Sequence, residues 1–373
     1  LTAELDGPPT YLELEWEMMP EEWRKCKHPV CRIWTGLYGL QRAGHGWGKK
    51  CEKQLFRLDY EKVAQSDEHT IYMRFFKGKN GIVEPVLVVV YVDDFLVVGN
   101  REIAMIAHKE IEKALGFTPK DDYECEEFIG IQVQALEPMK DGCRRVLMHQ
   151  TTYAQHLVDD FEKNHNNGKE LRQMSTPALV RDEVGRSVPA YVPDLKATAQ
   201  KHGGGLLWLC RGTRPDLCAA VTKITRRYTV WDRECDHLLF RIFQYLKGTV
   251  NLGIVLYGHP DDWDNIQFAV ECDADHGGDP AETKSTSGVF AYLYGEKSFM
   301  PLDWYAKKQT VATARSTGEA EMVAIDGATF NVSMPWVLLL EGIFRRSIGW
   351  VTGSDSDAAI KAVKKGYSKK MAY

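Results

Sequence analysis

Apolar positions along the chain fall into stretches of different period. From Leu1 to about Val30 the sequence is irregular and punctuated by Trp and Pro. A Gly-rich stretch, Gly36-Leu37-Tyr38-Gly39-Leu40, leads to Trp47, and Gly48 to Leu58 predicts a helix. The clearest local pattern spans Val83 to Gly99. There Val86-Leu87-Val88-Val89-Val90 and Phe95-Leu96-Val97-Val98 flank Tyr91-Val92-Asp93-Asp94. Two β-branched runs around an acidic pair predict a hairpin with buried arms. Arg101 to Leu115 carries apolar residues at 103, 106, 107, 111, 114 and 115, a helical spacing that Gly116 is placed to cap. Phe128 to Val133 predicts a short strand.

Gly142 to Leu256 reads as mostly helical. Gly168 to Lys201 is polar, holds three prolines and predicts a loop. Helices are expected over Gly203–Tyr228 and His237–Lys247, and Asp261-Asp262-Trp263-Asp264 is a plausible junction. Beyond it the period shortens, and Gln267–Cys272, Gly288–Tyr294 and Leu302–Val311 alternate like strands. Ser316 to Ala328 predicts a helix with Ser316 as N-cap and Glu319 three residues on, as in a capping box. Pro335 restarts or kinks a second helical stretch to about Phe344. Trp350–Ser354 predicts one more strand and Asp357–Lys365 a helix. No internal repeat is visible. The fold class expected is α+β (mixed α/β).

Length and composition narrow the picture. A chain of 373 residues fits about two domains. With 44% hydrophobic and 27% charged residues it reads as an ordinary globular protein. The net charge of -5 means that any nucleic-acid surface is a local patch. Nine cysteines lack a repeated spacing, and Cys26, His28 and Cys31 have no second pair at zinc-like distance. Free thiols in a reducing compartment are expected, hence an intracellular protein. No apolar run reaches the ~18–20 residues needed to span a bilayer, and no secretory signal opens the chain. A first residue of Leu1 suggests a segment cut from something longer.

Two sets of acids are candidates for chemistry. Adjacent aspartates at a tight turn between buried strands present oxygens at a rigid point. Asp93 and Asp94 could thus hold the paired Mg²⁺ ions of phosphoryl transfer, or be an incidental Asp-Asp turn. In the second half, Asp273 closes a predicted strand, Glu321 lies on a predicted helix and Asp355 ends a later strand. Three acids so placed can converge on two metal ions with water as nucleophile, although each alone could be a surface acid. Lys307 and Lys308 follow Trp304 and Tyr305. They form either a backbone-contacting patch or a solvated strand edge. The C-terminal lysines, Lys361 to Lys370, read as a solvated helix face and tail.

In order, Leu37-Tyr38-Gly39-Leu40 leading to Trp47, Tyr91-Val92-Asp93-Asp94 and Phe128-Ile129-Gly130-Ile131 resemble the reverse transcriptase of copia-type retrotransposon Pol polyproteins. Ser175-Thr176-Pro177, Thr213-Arg214-Pro215-Asp216 and Tyr245-Leu246-Lys247-Gly248-Thr249 continue the match. The set Asp273-Ala274-Asp275, Lys284-Ser285-Thr286-Ser287-Gly288, Trp304 with Lys307-Lys308-Gln309, and Ser316-Thr317 with Glu319-Ala320-Glu321 resembles the ribonuclease H of the same family.

The resemblance implies a partial reverse transcriptase palm over 1–135, a helical thumb or connection region over 136–262, and a ribonuclease H-like domain, truncated at its end, over 263–373. It implies Asp93, Asp94, Asp273, Glu321 and Asp355 as catalytic metal ligands for Mg²⁺ or Mn²⁺. Asp275, Glu319 and Asp357 are close neighbours of the last three. Tyr91 would sit beside the growing end, Gln41 and Trp47 would line the nucleotide site, and Phe128 to Ile131 would lie near the primer. Implied partners are RNA template, DNA primer, RNA–DNA hybrid, dNTPs and other Pol segments, with no membrane. The implied setting is a cytoplasmic virus-like particle, the nucleus, or both.

The sequence departs from the family at several places. Gln41-Arg42-Ala43-Gly44-His45 replaces the usual Lys-Gln-Ala-Pro-Arg, and His276 stands where a Trp is usual. The family's third polymerase aspartate falls upstream of the residues matching Leu1–Leu5. Its fourth hydrolytic acid falls about where Met371 and Ala372 stand. The expectation is therefore a chain that does not extend a primer alone and cleaves RNA weakly. The alternative is a degenerate or host-retained fragment that at most binds nucleic acid. A third reading, an unrelated metal-dependent nuclease, would require the first set of motifs to be accidental.

Overall fold

The computed structural model describes residues 3, 5, 7–37, 40–63, 70–79, 81–117, 125–178, 192–277, 284–310 and 314–366. Contacts divide the chain into two compact units, Leu1–Cys125 and Glu126–Tyr373. The boundary expected near residue 262 runs between two elements of the second unit.

The first unit begins with an antiparallel ribbon, β1 (Thr10–Glu13) and β2 (Val30–Ile33), inside the stretch read as irregular. Helix α1 (Gln41–Arg57) starts seven residues before its expected Gly48. A four-stranded antiparallel sheet follows, in the order β3 (Glu61–Lys62), β4 (Ile71–Lys77), β5 (Val83–Tyr91), β6 (Asp94–Val98). Helix α2 (Arg101–Leu115) completes the unit. Asn100 caps its start, and Gly116 ends it in the left-handed region at φ 74. The core obeys both periods. Val86, Val88 and Val90 of β5 point one way, while Trp47, Cys51 and Leu55 of α1 and Ile103, Ala107, Ile111 and Leu115 of α2 recur every four residues. Most of these residues form one buried cluster.

The second unit is organised on one eight-stranded sheet. Its strands are β7 (Glu127–Phe128), β8 (Ile131–Leu136), β9 (Arg144–His149), β10 (Gly253–Gly258), β11 (Gln267–Asp275), β12 (Thr286–Tyr294), β13 (Phe299–Lys308) and β14 (Trp350–Gly353). Their spatial order is β14-β11-β12-β13-β10-β9-β8-β7. Every neighbouring pair is antiparallel except β11 with β14, which run parallel. The strand expected over Phe128–Val133 is split by a turn at Ile129-Gly130, both with positive φ.

Helices α3 (Thr151–His165), α4 (Ala199–Gly212), α5 (Cys218–Thr225) and α6 (Arg233–Gly248) cover one face. Their cluster takes in Ile254 of β10 and Trp304 of β13, and Phe290 packs against it. Within it the rings of Phe161 and Phe243 stack with centroids 3.9 Å apart. The single helix expected over Gly203–Tyr228 breaks at Thr213, because Pro215 lacks an N–H and disfavours helical backbone at Arg214, which has φ -124 and ψ 68.

On the opposite face lie α7 (Thr317–Ala328), α8 (Met334–Phe344) and, after β14, α9 (Asp357–Lys365). Ala320, Ala324 and Ala328 are fully buried at every fourth position, so α7 approaches β11 and β12 closely. A wide π-turn at Thr329–Ser333 precedes Pro335, and the Ser333 hydroxyl donates to the Ala328 carbonyl at 3.0 Å. The run Thr317–Phe344 is long and apolar enough to cross a bilayer by length and composition. This run corrects the expectation that no apolar stretch is long enough; its Ala320, Ala324, Ala328, Val332 and Leu340 pack on the sheet, while Phe330, Met334 and Leu338 are exposed.

Candidate active site

At the tip of the β5–β6 hairpin, Tyr91 stands opposite Asp94, and Val92 and Asp93 form the turn. All four residues are exposed. Val92 has φ 55, a conformation that a β-branched side chain rarely adopts. Trp47 holds the turn from beneath, since its indole N–H donates to the Val92 carbonyl at 2.6 Å. Expected to line a nucleotide site, Trp47 is only 5% exposed and reaches the acidic pair through the backbone. Gln41 opens α1, and its side chain lies outside the described residues, as do Tyr38 and Gly39.

The second acid set is assembled by three elements. Strands β11 and β14 run parallel, so their C-terminal ends share one end of the sheet. Asp273 lies near the end of β11, and Asp355 follows β14 in a short loop. That loop is held by the Ser354 hydroxyl, which accepts from the Ser356 N–H at 3.2 Å. The alanine face of α7 seats that helix on β11 and lowers Glu321 onto the strand, where its Oε1 accepts from the Ala274 N–H at 3.2 Å. Carboxylate oxygens of Asp273, Glu321 and Asp355 all lie within 4.8 Å of one another. Among the described residues no other group of three or more His, Cys, Asp or Glu is so arranged.

The neighbouring acids have other occupations. Glu319 is buried at the start of α7, where its Oε2 accepts from the Arg315 N–H at 2.5 Å and its own N–H donates to the Ser316 hydroxyl. Asp357 opens α9 and pairs with Lys361 at 3.9 Å. Asp275 ends β11 opposite Thr286. His276 contacts the buried Ser285 hydroxyl at 3.4 Å. Lys307 and Lys308 stand opposite Ser287 and Thr286 near the end of β13, Lys307 exposed and Lys308 half-buried. Met371 and Ala372 lie outside the described residues.

Electrostatics within the triad suit a cation. Burial and then the nearby Asp273 and Asp355 carboxylates raise the Glu321 pKa from its ordinary 4.5 to about 7, against the lowering effect of the Ala274 N–H. Its Oε2 is buried with no hydrogen-bond partner. Three converging hard oxygen donors, one of them orphaned, fit a divalent cation of the Mg²⁺ or Mn²⁺ kind.

Other motifs turn out to be structural ties. Arg214 is fully buried. It binds Asp216 through two nitrogens, at 2.9 and 2.8 Å, and the Thr249 carbonyl and hydroxyl at 2.8 Å each. The Tyr245 hydroxyl donates to the same Asp216 carboxylate at 2.8 Å. Thr213–Asp216 and Tyr245–Thr249 are thus two halves of one network around the buried Arg214. Arg241 of α6 likewise donates to the carbonyl and hydroxyl of Thr176, both at 2.8 Å. Sequence reasoning names Gln309 only within the Lys307-Lys308-Gln309 match and gives it no role, yet it is buried beside the triad's helix. A lone amide after two lysines carries no signal that would single it out.

Three carboxylates gathered at one end of a sheet are an arrangement that can hold divalent cations. Residues 21–175 match the family model described as Reverse transcriptase (RNA-dependent DNA polymerase). The chain is 26% identical over 312 residues to the retrovirus-related Pol polyprotein from transposon RE1 of Arabidopsis thaliana, covering 83% of this chain and 19% of that protein. It is 26% identical over 345 residues to the corresponding polyprotein from transposon TNT 1-94 of Nicotiana tabacum, covering 91% and 24%. A third relative, from transposon RE2 of Arabidopsis thaliana, is 25% identical over 83% of this chain and 19% of its own length. The resemblance to copia-type Pol polyproteins is borne out over most of the chain. The chain spans about a fifth to a quarter of the length of these relatives.

Proposed function

We propose that this chain is the reverse transcriptase and RNA-hydrolysing portion of a transposon Pol polyprotein. In this reading residues 1–135 supply a polymerase palm, 136–262 a thumb or connection region, and 263–373 a ribonuclease H-like domain. The observation that carries the hydrolytic half is the convergence of Asp273, Glu321 and Asp355 at one end of a sheet. Three antiparallel strands, a helix and a parallel return strand deliver them. The substrate is the RNA strand of an RNA–DNA hybrid, recognised by its backbone shape.

Asp273, Glu321 and Asp355 would hold divalent cations, Mg²⁺ or Mn²⁺. Bound there, the cations would polarise the attacked phosphate and lower the pKa of the attacking water. The residues' own contributions follow from the geometry. Glu321 sits near its pKa at neutrality, so it releases its proton readily as positive charge arrives. The Ala274 N–H aims its Oε1. The exposed Asp273 and Asp355 keep the site open to a long substrate. Lys307 offers a phosphate contact two strands away from Asp273, on β13. In the palm, Asp93 and Asp94 would hold cations that serve nucleotide addition in the whole polyprotein, Tyr91 would lie beside the growing end, and Trp47 would act through the Val92 carbonyl it grips. RNA template, DNA primer, dNTPs and other Pol segments are the partners.

The test is Mg²⁺-dependent cleavage of a labelled RNA–DNA hybrid by the full chain, with Asp273→Asn as control. Cleavage by the natural sequence and its loss in the variant are expected. Equal cleavage by both proteins would overturn the triad assignment, and no cleavage by either would favour a non-catalytic fragment.

A further inference from the structure

Gln309 follows Lys308 at the end of β13 and is 4% exposed. Its backbone N–H donates to the Ser285 carbonyl at 2.9 Å. Its side-chain amide donates twice, to the Ser287 hydroxyl at 2.9 Å and to the Ala320 carbonyl at 2.8 Å. Ala320 is the residue before Glu321. Ser287 stands opposite Ala274 in the β11–β12 ladder, and Ala274 is the residue whose N–H binds Glu321. These contacts close a ring. It runs from the Glu321 carboxylate to Ala274, across the ladder to Ser287, through the Gln309 amide to Ala320, and along the chain back to Glu321.

We propose that Gln309 is a positioning residue for the acidic cluster, fixing the height and rotation of α7 on the sheet so that Glu321 meets Asp273 and Asp355. This deepens the hydrolytic reading and rests on it for the purpose of the positioning. Two donors on one planar amide suit the task. They must satisfy an acceptor on a strand and another on a helix at once, in a dry environment where unmade bonds are costly. A leucine of similar volume would fill the space and remove both bonds that tie the helix to the strand. Partners of this kind, one step removed from the ligands, commonly set metal affinity.

The experiment compares the full chain with Gln309→Leu, Ser287→Ala and Leu206→Ala. Leu206 is fully buried in the helical cluster on the opposite face and controls for general destabilisation. Two quantities are read: hydrogen exchange at the Ala274 amide, and Mn²⁺ affinity by calorimetry. Gln309→Leu should speed exchange at Ala274 by about tenfold over the Leu206→Ala control. It should also weaken Mn²⁺ binding by about tenfold. Ser287→Ala should shift both in the same direction, and it decides the matter if Gln309→Leu does not fold. Exchange at Ala274 no faster than in the Leu206→Ala control would overturn the positioning role. If the natural chain shows no Mn²⁺ uptake that depends on Asp273, the metal reading falls, and the exchange rates alone still decide what Gln309 does.

Discussion

Replacing Glu321 with glutamine should stabilise the cation-free protein while removing its response to cations. Glu321 is 3% exposed and has a pKa of about 7 in place of 4.5. A pKa raised by folding means that the folded state favours the protonated acid. Its contribution is full below pH 4.5 and is lost as pH rises through about 7. At about 1.4 kcal/mol per pH unit, ionising Glu321 costs the folded state ~3 kcal/mol by pH 8. Glutamine keeps the shape, removes the charge and can donate to the Asp273 and Asp355 carboxylates. At pH 8 without divalent cations, Glu321→Gln should therefore gain up to ~3 kcal/mol, or roughly 5–10 °C in melting temperature for a unit of this size. At pH 5 the gain should shrink to under ~1 kcal/mol, since Glu321 is then protonated in the folded state and pH 5 lies only about half a unit above its ordinary pKa of 4.5. Mg²⁺ at about 1,000 times Kd should reverse the ranking, because binding then adds about 4.1 kcal/mol to the natural protein alone, more than the ~3 kcal/mol gained by the variant. Melting curves at pH 5 and 8, with and without Mg²⁺, read all of this. A variant that is less stable at pH 8, or whose effect is the same at both pH values, would refute the reasoning.

Other perturbations follow from the same structure. Arg214→Ala should cost about 3 kcal/mol in urea unfolding, since it empties a buried site and leaves the Thr249 carbonyl without its donor, while the exposed Asp216 keeps the Tyr245 hydroxyl. An unchanged midpoint would mean that the network holds nothing together. His202 is buried against Phe161, with its Nε2 2.9 Å from that of His165. Burial first, then the nearby His165, lower its pKa from 6.5 to about 4. Its neutral form is therefore favoured by folding, and stability is lost as pH falls from 6.5 towards 4, by ~3 kcal/mol. A natural protein and His202→Gln with parallel stability profiles over that range would contradict this. Val92→Gly should relieve the backbone at the acidic turn and stabilise the first unit by about 1 kcal/mol, after glycine's entropic cost. A loss of stability would show that the side chain contributes more than its exposure suggests.

The elements legible in the sequence were those with a strong local period or punctuation. The β5–β6 hairpin, α2 with its Gly116 cap, the three strands after Asp264 and the Ser316-capped α7 all stand near their expected places. Strands β9 and β10 were hidden in a stretch read as helical. They pair with each other across about a hundred residues, so their stability comes from partners no local window contains. The Trp- and Pro-rich start concealed the β1–β2 ribbon for the same reason. Convergence of Asp273, Glu321 and Asp355 could be conceived from strand-end and helix positions. Which acid of each neighbouring pair faces the others depends on the parallel pairing of β11 with β14 and on the alanine face of α7. The buried roles of Arg214, Arg241 and Gln309 were illegible, because burial of a polar side chain is decided by what folds over it.

The central claim is that Asp273, Glu321 and Asp355 form a divalent-cation site. Its most direct test is diffraction at the manganese edge from crystals of the full chain grown with Mn²⁺, alongside Asp355→Asn. An anomalous peak within coordination distance of all three carboxylates, lost or displaced in the variant, is the result expected. Saturating Mn²⁺ with no peak among these carboxylates would contradict the claim.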